Sequence, residues 1–394
     1  MILSGVSLAT LGTVPAFAQQ AVESTGIGAS STTTSESTEE IVVTGSRISR
    51  PISNTADPIS IFGQTEVTQR GLNTTQDLLK AIPQASRNRT ATDAVGSPAT
   101  VGHSQINLRG FGQASTLTLI NGRRQVLVPV PNEDGSSFVD INTIPLIMVE
   151  RMEIVQNGAA AIYGSDAVAG VANFILRRKF EGLELRGNYQ LVPAGDQRDF
   201  TIGAVGGFSS GPLDVVIGGE YVDRNALAFA DRKFSTGTAV SGTGSPGAFA
   251  APGARPMIDP NCAAAGGLAR PASAATPTFG SCAIDLTKYF ELISPQWRVS
   301  TYVTANYDLG DADLYFEAGY SHSKVNQGSS PGSAVLTFPL VPANNPGNLV
   351  ENGGFGVPVN FVGRPFGSRF PGTTNVHTLN AYRAVAGIRG GLGG

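Results

Sequence analysis

The sequence has few charged residues and no long apolar run, and each shortage excludes a class of protein. Charged side chains make up 14% of the 394 residues, whereas soluble domains carry about 25%. Lys and Arg total 27 against 30 Asp and Glu, so a basic surface that neutralises nucleic-acid phosphates is excluded. Beyond the N-terminus no apolar stretch reaches the roughly 18 residues of a membrane-spanning helix. The 49 glycines and the alternating hydrophobicity leave the transmembrane β-barrel as the class to consider.

Cysteine and histidine are also scarce, which limits the chemistry. Cys262 and Cys282 are the only cysteines. They either form a disulfide that staples an external loop after export or are two unrelated thiols. The three histidines, His103, His322 and His377, are scattered, and no Cys/His spacing resembles a metal site. We therefore predict no metal and no cofactor. The sequence shows no nucleophile with a positioned base, so these residues do not indicate an enzyme.

The N-terminus indicates export. Residues 2–17 are apolar, and Ala16-Phe17-Ala18 before Gln19 fits a signal-peptidase site, so residues 1–18 are predicted to be a signal peptide. No Lys or Arg follows Met1, which suggests a true start codon elsewhere. Two glycines and a proline disfavour the alternative, a buried helix. Residues 19–40 are rich in Ser, Thr and Glu and are predicted to be a disordered extension.

Residues 41–178 are predicted to form one compact α+β domain. A helix is expected from Thr74 or Thr75 to Ala81, ended by Pro83. The pair Asn121-Gly122 is typical of a tight turn, and Pro145 suits the first turn of a helix that reaches Val149. Strands are expected over Pro58–Phe62, Ser104–Leu108, Ser115–Ile120, Gln125–Val128, Arg151–Gln156 and Val171–Leu176.

Residues 181–394 contain six segments in which apolar and polar residues alternate, as in barrel strands with one face on lipid and one on a wet interior. The segments are 182–192, 200–208, 213–224, 298–307, 314–321 and 378–390. Outward positions include Leu185, Ile217, Val303, Phe316 and Tyr382, and inward positions include Arg186, Glu220, Arg298, Glu317 and Arg383. Short and long connections alternate, which places the tight turns on the periplasmic side. A soluble β-sandwich also alternates but seldom needs this regular loop pattern.

Three runs carry a family resemblance: INLRGFG (106–112), TLTLINGRRQ (116–125) and MVERMEIVQNGAAAIYGSDAVAGVANFILRR (148–178). They resemble the plug domain of TonB-dependent outer-membrane receptors. Ala159 and Ala161 depart from the family pattern, where Pro or Ser is common. The residues assigned to the plug motif are Arg109, Gly110, Asn121, Gly122, Glu150, Arg151, Glu153, Gly158, Tyr163, Gly164 and Gly170.

The resemblance implies a domain order and a set of partners. Ile41, Val42, Val43, Thr44 and Gly45 form a β-prone segment after two acidic residues, a type that can add to a partner's sheet edge. This segment sits where the family carries its TonB box, the strand handed to TonB and its inner-membrane energising complex. Residues 46–180 would be the plug, and residues 181–394 the N-terminal part of the barrel. A monomer in the outer membrane, in contact with lipid and a small nutrient and with no nucleic acid, is expected.

The implied mechanism is gated uptake, in which an external ligand binds the plug apices and loops and TonB loosens the plug. Glu150, Arg151 and Glu153 would pair with the barrel and Arg109 within the plug, or all four would only solvate a polar lumen. Six strands are few beside the about 22 that enclose a plug in such transporters, and an open edge is costly in lipid. The chain is therefore expected to be the N-terminal portion of a longer receptor that cannot transport alone.

Other functions stay open at this point. A signalling receptor of the same family carries an extra folded domain before the TonB box, for which residues 19–40 are too few. A non-transporting, ligand-binding remnant is a further alternative, and a soluble enzyme on a β scaffold is the least favoured. The residues do not indicate whether the nutrient is a siderophore, a vitamin or an oligosaccharide.

Overall fold

The computed structural model describes residues 59–85, 88–92, 100–156, 160–193, 195–235, 239–252, 257–270, 280–332, 340–364 and 372–390. The predicted signal peptide, the extension and the segment Ile41–Gly45 lie outside these ranges, as does Gly158.

A five-stranded mixed sheet forms the centre of the N-terminal domain. Its strands are β1 (Ile59–Gly63), β2 (Thr116–Ile120), β3 (Arg123–Arg124), β4 (Val149–Val155) and β5 (Gly170–Leu176). They are arranged in the order β1-β4-β5-β2-β3. β4 pairs antiparallel with β1 and β5, whereas β2 pairs parallel with β5. The helices α1 (Gln64–Gln69), α2 (Thr75–Ala81) and α3 (Ala160–Tyr163) accompany the sheet.

Single 3-10 turns complete this domain and recur in the later connections. They cover Leu108–Gly110, Gln113–Ser115, Ile141–Thr143, Leu146–Met148, Ser165–Ala167, Phe229–Asp231, Lys233–Ser235, Pro346–Asn348 and Val350–Asn352. None of the helices in the described ranges combines the length and the apolar character needed to cross a membrane.

The core lies around β4 and β5, which are covered on both faces. Met152, Ile154 and Phe174 have no solvent-exposed surface. Helix α2 contributes Leu78 and Leu79 to the same cluster. Burial of each such side chain stabilises the fold by about 1.5–3 kcal/mol. The N-terminal domain therefore has an apolar core of its own.

The predicted helix over 75–81 is confirmed, and its N-terminus shows why it begins there. Thr74 donates its backbone N–H and its hydroxyl to Asp77 Oδ2, at 3.0 Å and 2.9 Å. Burial alone raises the pKa of the Asp77 carboxyl, but the ion pair and hydrogen bond with Lys80 and the Thr74 contacts hold the pKa below its ordinary value. The carboxylate thus satisfies donors that a helix start leaves unpaired.

Three local predictions in this domain are wrong. Residues 104–108 are not a strand, because the Ser104 N–H donates to the Asp140 carboxylate at 3.0 Å and only Gln105 forms an isolated β-bridge. The strand after the Asn121-Gly122 turn ends at Arg124 and does not cover 125–128. Residues 146–148 form one 3-10 turn that follows Pro145, not an α-helix. Residues 104–108 are all buried, so their alternation of polar and apolar residues does not reflect a half-exposed strand.

Six long antiparallel strands form a second sheet. They are β6 (Gly182–Val192), β7 (Gln197–Ser210), β8 (Leu213–Arg224), β16 (Gln296–Asp308), β17 (Ala312–Ser329) and β20 (Thr373–Gly390), and they lie in the order β20-β17-β16-β8-β7-β6. Among the described residues this sheet is open, since β6 and β20 do not pair with each other. All six predicted strand segments are confirmed, and several extend beyond the predicted ends.

The two faces of the six-stranded sheet differ as the alternation predicts. On the outward face, Leu185, Ile217 and Tyr382 are 60–71% exposed. On the inward face, Glu220, Arg298 and Glu317 are at most 6% exposed. Buried polar and charged groups need partners, so the inward face must be covered by groups that can hydrogen-bond.

Tight turns and long connections lie at opposite ends of this sheet, here called the inner end and the outer end. Residues 211–212 and 309–311 form the tight turns of the inner end. The outer connections contain β9 (Leu227–Ala228), β10 (Val240–Ser241), β11 (Ala248–Ala250), β12 (Met257–Ile258), β13 (Leu268–Arg270), β14 (Ser281–Asp285), β15 (Glu291–Ile293), β18 (Leu340–Val341) and β19 (Val359–Val362). β11 pairs with β19, which joins the two connections, and Cys262 and Cys282 are disulfide-bonded.

Candidate functional site

The Asn121-Gly122 turn joins the N-terminal domain to the six-stranded sheet. Both residues have positive φ, +51° and +77°. Asn121 Oδ1 accepts from the Leu176 N–H at 2.9 Å, and the Gly122 N–H donates to Asn173 Oδ1 at 2.9 Å. With its oxygen held by β5, Asn121 donates its side-chain Nδ2 to Glu317 Oε1 on β17 at 2.9 Å. The turn is therefore a polar contact point between the two parts.

Glu317 is the centre of a buried charge cluster at this contact. Its Oε1 also accepts from Arg123 Nη1 at 3.0 Å, and its Oε2 accepts from Arg383 Nη1 on β20 at 2.9 Å. Arg383 hydrogen-bonds to the Tyr302 hydroxyl, and the Arg123 guanidinium stacks 4.1 Å from the Tyr315 ring centroid. The two guanidinium groups together satisfy the buried Glu317 carboxylate. Removing one member of such a buried pair would leave the charge of the other uncompensated, which costs free energy.

A second contact is made by the turn at 146–148. The Leu146 N–H donates to Glu220 Oε2 on β8 at 3.2 Å, and Arg298 Nη2 lies 4.0 Å from the other oxygen of this carboxylate. Beside it, Met148 Sδ packs so closely on Gly218 that a Cβ there would lie 2.6 Å away. Glycine at this position of β8 thus lets the apolar turn lie directly against the six-stranded sheet.

A third contact lies towards the outer end. The Gly102 carbonyl accepts from Gln296 Nε2 on β16 at 3.1 Å and from Asn142 Nδ2 at 3.2 Å. Gly102 has φ +82°, and a Cβ there would lie 2.3 Å from Val325 Cγ2 on β17. Val101 and Val325 form a small buried apolar cluster. Only glycine fits this close approach without displacing Val325 on β17.

Of the predicted plug-motif residues, Arg151 pairs within its own strand. Its guanidinium contacts Glu150 at 2.6 Å and Glu153 at 2.8 Å, and all three residues belong to β4. Ion pairs between the domain and the sheet include Arg123 with Glu317 and Arg177 with Glu184 on β6. Sequence reasoning singled out neither pair: Arg123 and Glu317 are 194 residues apart, and Arg177 and Glu184 lie on either side of the junction between the domain and β6.

Arg109 pairs inside the N-terminal domain, through main-chain carbonyls. Its Nη2 donates to the Gln156 carbonyl at 2.7 Å and to the Ala169 carbonyl at 2.9 Å. Arg109 itself has φ +55° and Gly110 has φ +73°. The side chain therefore ties the loop before β2 to the connection between β4 and β5.

The remaining described motif residues lie on that connection. Arg124 Nη2 donates to the Tyr163 carbonyl at 2.8 Å, and Gly164 follows helix α3 with φ +90°. Gly170 begins β5 with φ +138°. These residues shape the backbone and bring no reactive group together.

A cavity of about 260 Å³, here called the outer cavity, lies between the N-terminal domain and the outer part of the six-stranded sheet. Its lining is mostly apolar, with two imidazoles and two hydroxyl-bearing side chains. The lining residues are Val101, Gly102, His103, Val128, Pro129, Val130, Ser323, Val325, Val376, His377, Thr378 and Leu379. Concave, mainly apolar pockets with a few polar groups are typical of small-molecule binding. Within the described ranges no group of three or more His, Cys, Asp or Glu side chains could hold a metal ion.

Comparison with known proteins identifies the N-terminal domain. Residues 51–171 match the family model of the TonB-dependent receptor plug domain. Residues 51–171 belong to the TonB-dependent receptor plug domain family. The six-stranded sheet is accordingly a partial barrel wall, and the three contacts above connect plug and wall.

The matches to individual proteins are partial. The iron-regulated outer membrane virulence protein of Vibrio cholerae is 32% identical over 154 residues, which are 39% of this chain and 22% of that protein. The ferric enterobactin receptor PfeA of Pseudomonas aeruginosa has 17% identity and a TM-score of 0.44, over 69% of this chain and 34% of that chain. The siderophore receptor PirA of the same organism has 17% identity and a TM-score of 0.37, over 69% and 38%.

Proposed function

We propose that this chain supplies the plug and part of the wall of an outer-membrane receptor that takes up a scarce nutrient with energy delivered by TonB. The observation that carries the proposal is the plug held against the inward face of the wall by Asn121, Arg123 and Glu317. A plug bound by a small number of polar contacts can close a passage and be released by force. Uptake therefore needs gating and no covalent chemistry.

An outer-membrane location is supported by the outward face of the wall. Large apolar side chains on this face are exposed, whereas Glu220 and Glu317 on the inward face are buried, as in strands with lipid on one side. Leu183, Ile217 and Tyr382 are 60–71% exposed. A water-exposed apolar surface of this extent is uncommon on soluble proteins, and the relative from Vibrio cholerae is named as an outer membrane protein.

The nutrient enters, in this proposal, at the outer cavity and is bound by plug and wall together. The relative is named as iron-regulated, which favours an iron-bearing nutrient such as a siderophore complex over a vitamin or an oligosaccharide. TonB is proposed to pair with Ile41–Gly45, the segment that precedes the plug, through main-chain hydrogen bonds of an added strand.

Deletion of Ile41–Gly45 tests the coupling when it is made in a complete receptor with a closed barrel, since the six described strands form an open sheet. The variant is expected to reach the outer membrane and bind nutrient normally but to lose uptake. Binding needs the plug surface, whereas uptake needs the segment that pairs with TonB. Uptake is measured in parallel with radiolabelled ferric citrate, cobalamin and a maltooligosaccharide, against cells that lack the gene. Deletion of Ser30–Thr34 is the matched control of equal length. Normal uptake by the Ile41–Gly45 variant would contradict the assignment.

A further inference from the structure

We propose that the nutrient passes between the plug and strands β17 and β20, while the plug stays attached to β7 and β8. The proposal rests on the uptake function above and specifies the route. It follows from a difference between two contact areas of the plug. The contact with β7 and β8, here called the anchor, is closely packed and apolar. The contact with β17 and β20, here called the seam, contains two cavities and is held by polar groups.

The anchor joins the 3-10 turn Leu146–Met148 to the wall. The three turn residues are at most 1% exposed, and Val205 on β7 and Val216 on β8 have no exposed surface. All five belong to the apolar cluster that forms the core of the plug. A Cβ at Gly203 on β7 would lie 3.5 Å from Ile147 Cβ, so turn and wall are in direct contact. Opening the anchor would expose this core to water, which costs free energy.

The chain itself strengthens the plug on this side. β5 leads through residues 177–181 into β6, and Arg177 pairs with Glu184 on β6 at 2.7 Å. The hydrogen bond of the Leu146 N–H with Glu220 on β8 lies on the same side. Because β6, β7 and β8 are neighbours in the sheet, the covalent, ionic and apolar attachments of the plug all lie together.

The seam follows the inward positions of β17 from the outer end towards the inner end. Val325 and Ser323 line the outer cavity. Ser321 and Gly319 line a second cavity of about 10 Å³. Glu317 comes next, at the centre of the charge cluster. Alternate residues of a strand are about 6.6 Å apart, so the two cavities and the cluster form one continuous line beside the plug.

Polar groups in the second cavity allow water to enter the seam. The cavity has room for about one water molecule. Gln125 Oε1 of the plug and Arg383 Nη2 of the wall come from its lining residues, and both atoms are buried with no hydrogen-bond partner among the described residues. Polar groups exchange a protein partner for water at a small net cost. The seam can therefore open while the anchor stays closed.

Tyr302 on β16 connects the second cavity to the charge cluster. Its ring lies across Gly319, where a Cβ would be 2.5 Å from Tyr302 Cε2. Its hydroxyl hydrogen-bonds to Arg383, whose guanidinium also donates to Glu317 Oε2 at 2.9 Å. A passage along the seam therefore requires this ring and this guanidinium to move aside.

The order of opening is tested by thiol labelling in a complete receptor with a closed barrel, since the six described strands form an open sheet. Ser321→Cys places a thiol in the seam, and Val216→Cys is the matched variant in the anchor; both positions are at most 3% exposed. The two native cysteines are disulfide-bonded and do not react. In sub-denaturing urea, a maleimide is expected to label Ser321→Cys about tenfold faster than Val216→Cys, because the less stable contact opens more often.

The route is tested in the same receptor by two disulfide clamps. Ile147→Cys with Gly203→Cys closes the anchor, and Gly102→Cys with Val325→Cys closes the seam. The Cβ positions are 3.5 Å and 3.3 Å apart, close to the separation of about 3.5–4.5 Å in disulfides. Uptake is measured with the three labelled nutrients named above, with and without a reductant.

The seam clamp is expected to abolish uptake until it is reduced, whereas the anchor clamp is expected to import as wild type does. Wild type with reductant controls for the native disulfide. Gly102→Cys alone controls for a side chain at positive φ.

Equal labelling of the two thiols, or faster labelling of Val216→Cys, would overturn the proposal. So would uptake through the seam clamp, or an anchor clamp that blocks uptake. A wild-type receptor that imports none of the three nutrients would contradict the uptake function instead. The labelling rates need no uptake, so they would still decide which contact of the plug opens first.

Discussion

Replacing Glu317 by Gln should weaken the attachment of the plug to the wall more than any other single change of charge. The carboxylate is 3% exposed and accepts three hydrogen bonds of 2.9–3.0 Å, two of them from the plug. The amide keeps the size of the side chain but leaves the buried Arg383 and the partly buried Arg123 without a counter-charge. Hydrogen bonds to charged groups contribute about 1.5–3 kcal/mol each, and breaking a buried ion pair costs about 3–5 kcal/mol. We expect a loss of about 3 kcal/mol.

The free energy of plug release is best measured by hydrogen exchange of the plug amides with the wall intact. In Glu317→Gln the amides of β2 and of the Asn121-Gly122 turn should exchange faster by roughly two orders of magnitude, since 1.4 kcal/mol corresponds to about tenfold. Asp313→Asn on the same strand is the control, because Asp313 is exposed. If both variants exchange at the wild-type rate, the cluster only solvates a polar interior, and the reasoning about attachment is refuted.

Two further changes test local contacts of the plug. Gly102→Ala should cost about 1–3 kcal/mol more than Gly71→Ala in urea unfolding, because both glycines have positive φ but only a Cβ at 102 would meet Val325; equal costs would show that the wall yields. Asp77→Asn should lose about 1 kcal/mol at neutral pH through the helix N-terminus. Because the folded pKa of Asp77 is lowered, this advantage of wild type should be complete above the ordinary carboxyl pKa of about 3.9 and should disappear as the pH falls through the lower folded pKa. A difference that persisted in stronger acid would contradict its electrostatic origin.

The long wall strands could be predicted because the alternation of apolar and polar residues is a property of neighbouring residues in the chain. Alternation has a period of two, and a one-residue slip would turn every side chain to the wrong face. The tight turn at Asn121-Gly122 was equally readable, since these residue types accept positive φ. The 104–108 and 125–128 segments failed for the opposite reason. Residues 104–108 were predicted from alternation and residues 125–128 from the preceding turn. In the structure their backbone is held by hydrogen bonds to other loops, such as that of the Ser104 N–H with the Asp140 carboxylate, which no local pattern indicates.

The motif residues show the same division. A positive φ at Gly164 or Gly170 follows from residue type and neighbours, so glycine positions are visible in a sequence. The partner of Arg151 could not be predicted in this way, because β4 holds three charged residues in seven positions and they allow several pairings. The structure pairs Arg151 with both neighbouring glutamates of its own strand, which leaves Arg123 to meet the wall.

The contact between plug and wall could not be found from sequence because nothing local marks it. Asn121 and Glu317 are 196 residues apart, and alternation predicts only that Glu317 faces inward. Inward polar residues are common on barrel strands, so the pattern does not distinguish a residue that meets water from one that meets the plug. That distinction depends on the register of β17 against β16 and β20, which sets Glu317 opposite Val385 and beside Thr304. The same register sets Val325 opposite His377, so one alignment of strands determines both the attachment of the plug and the composition of the outer cavity.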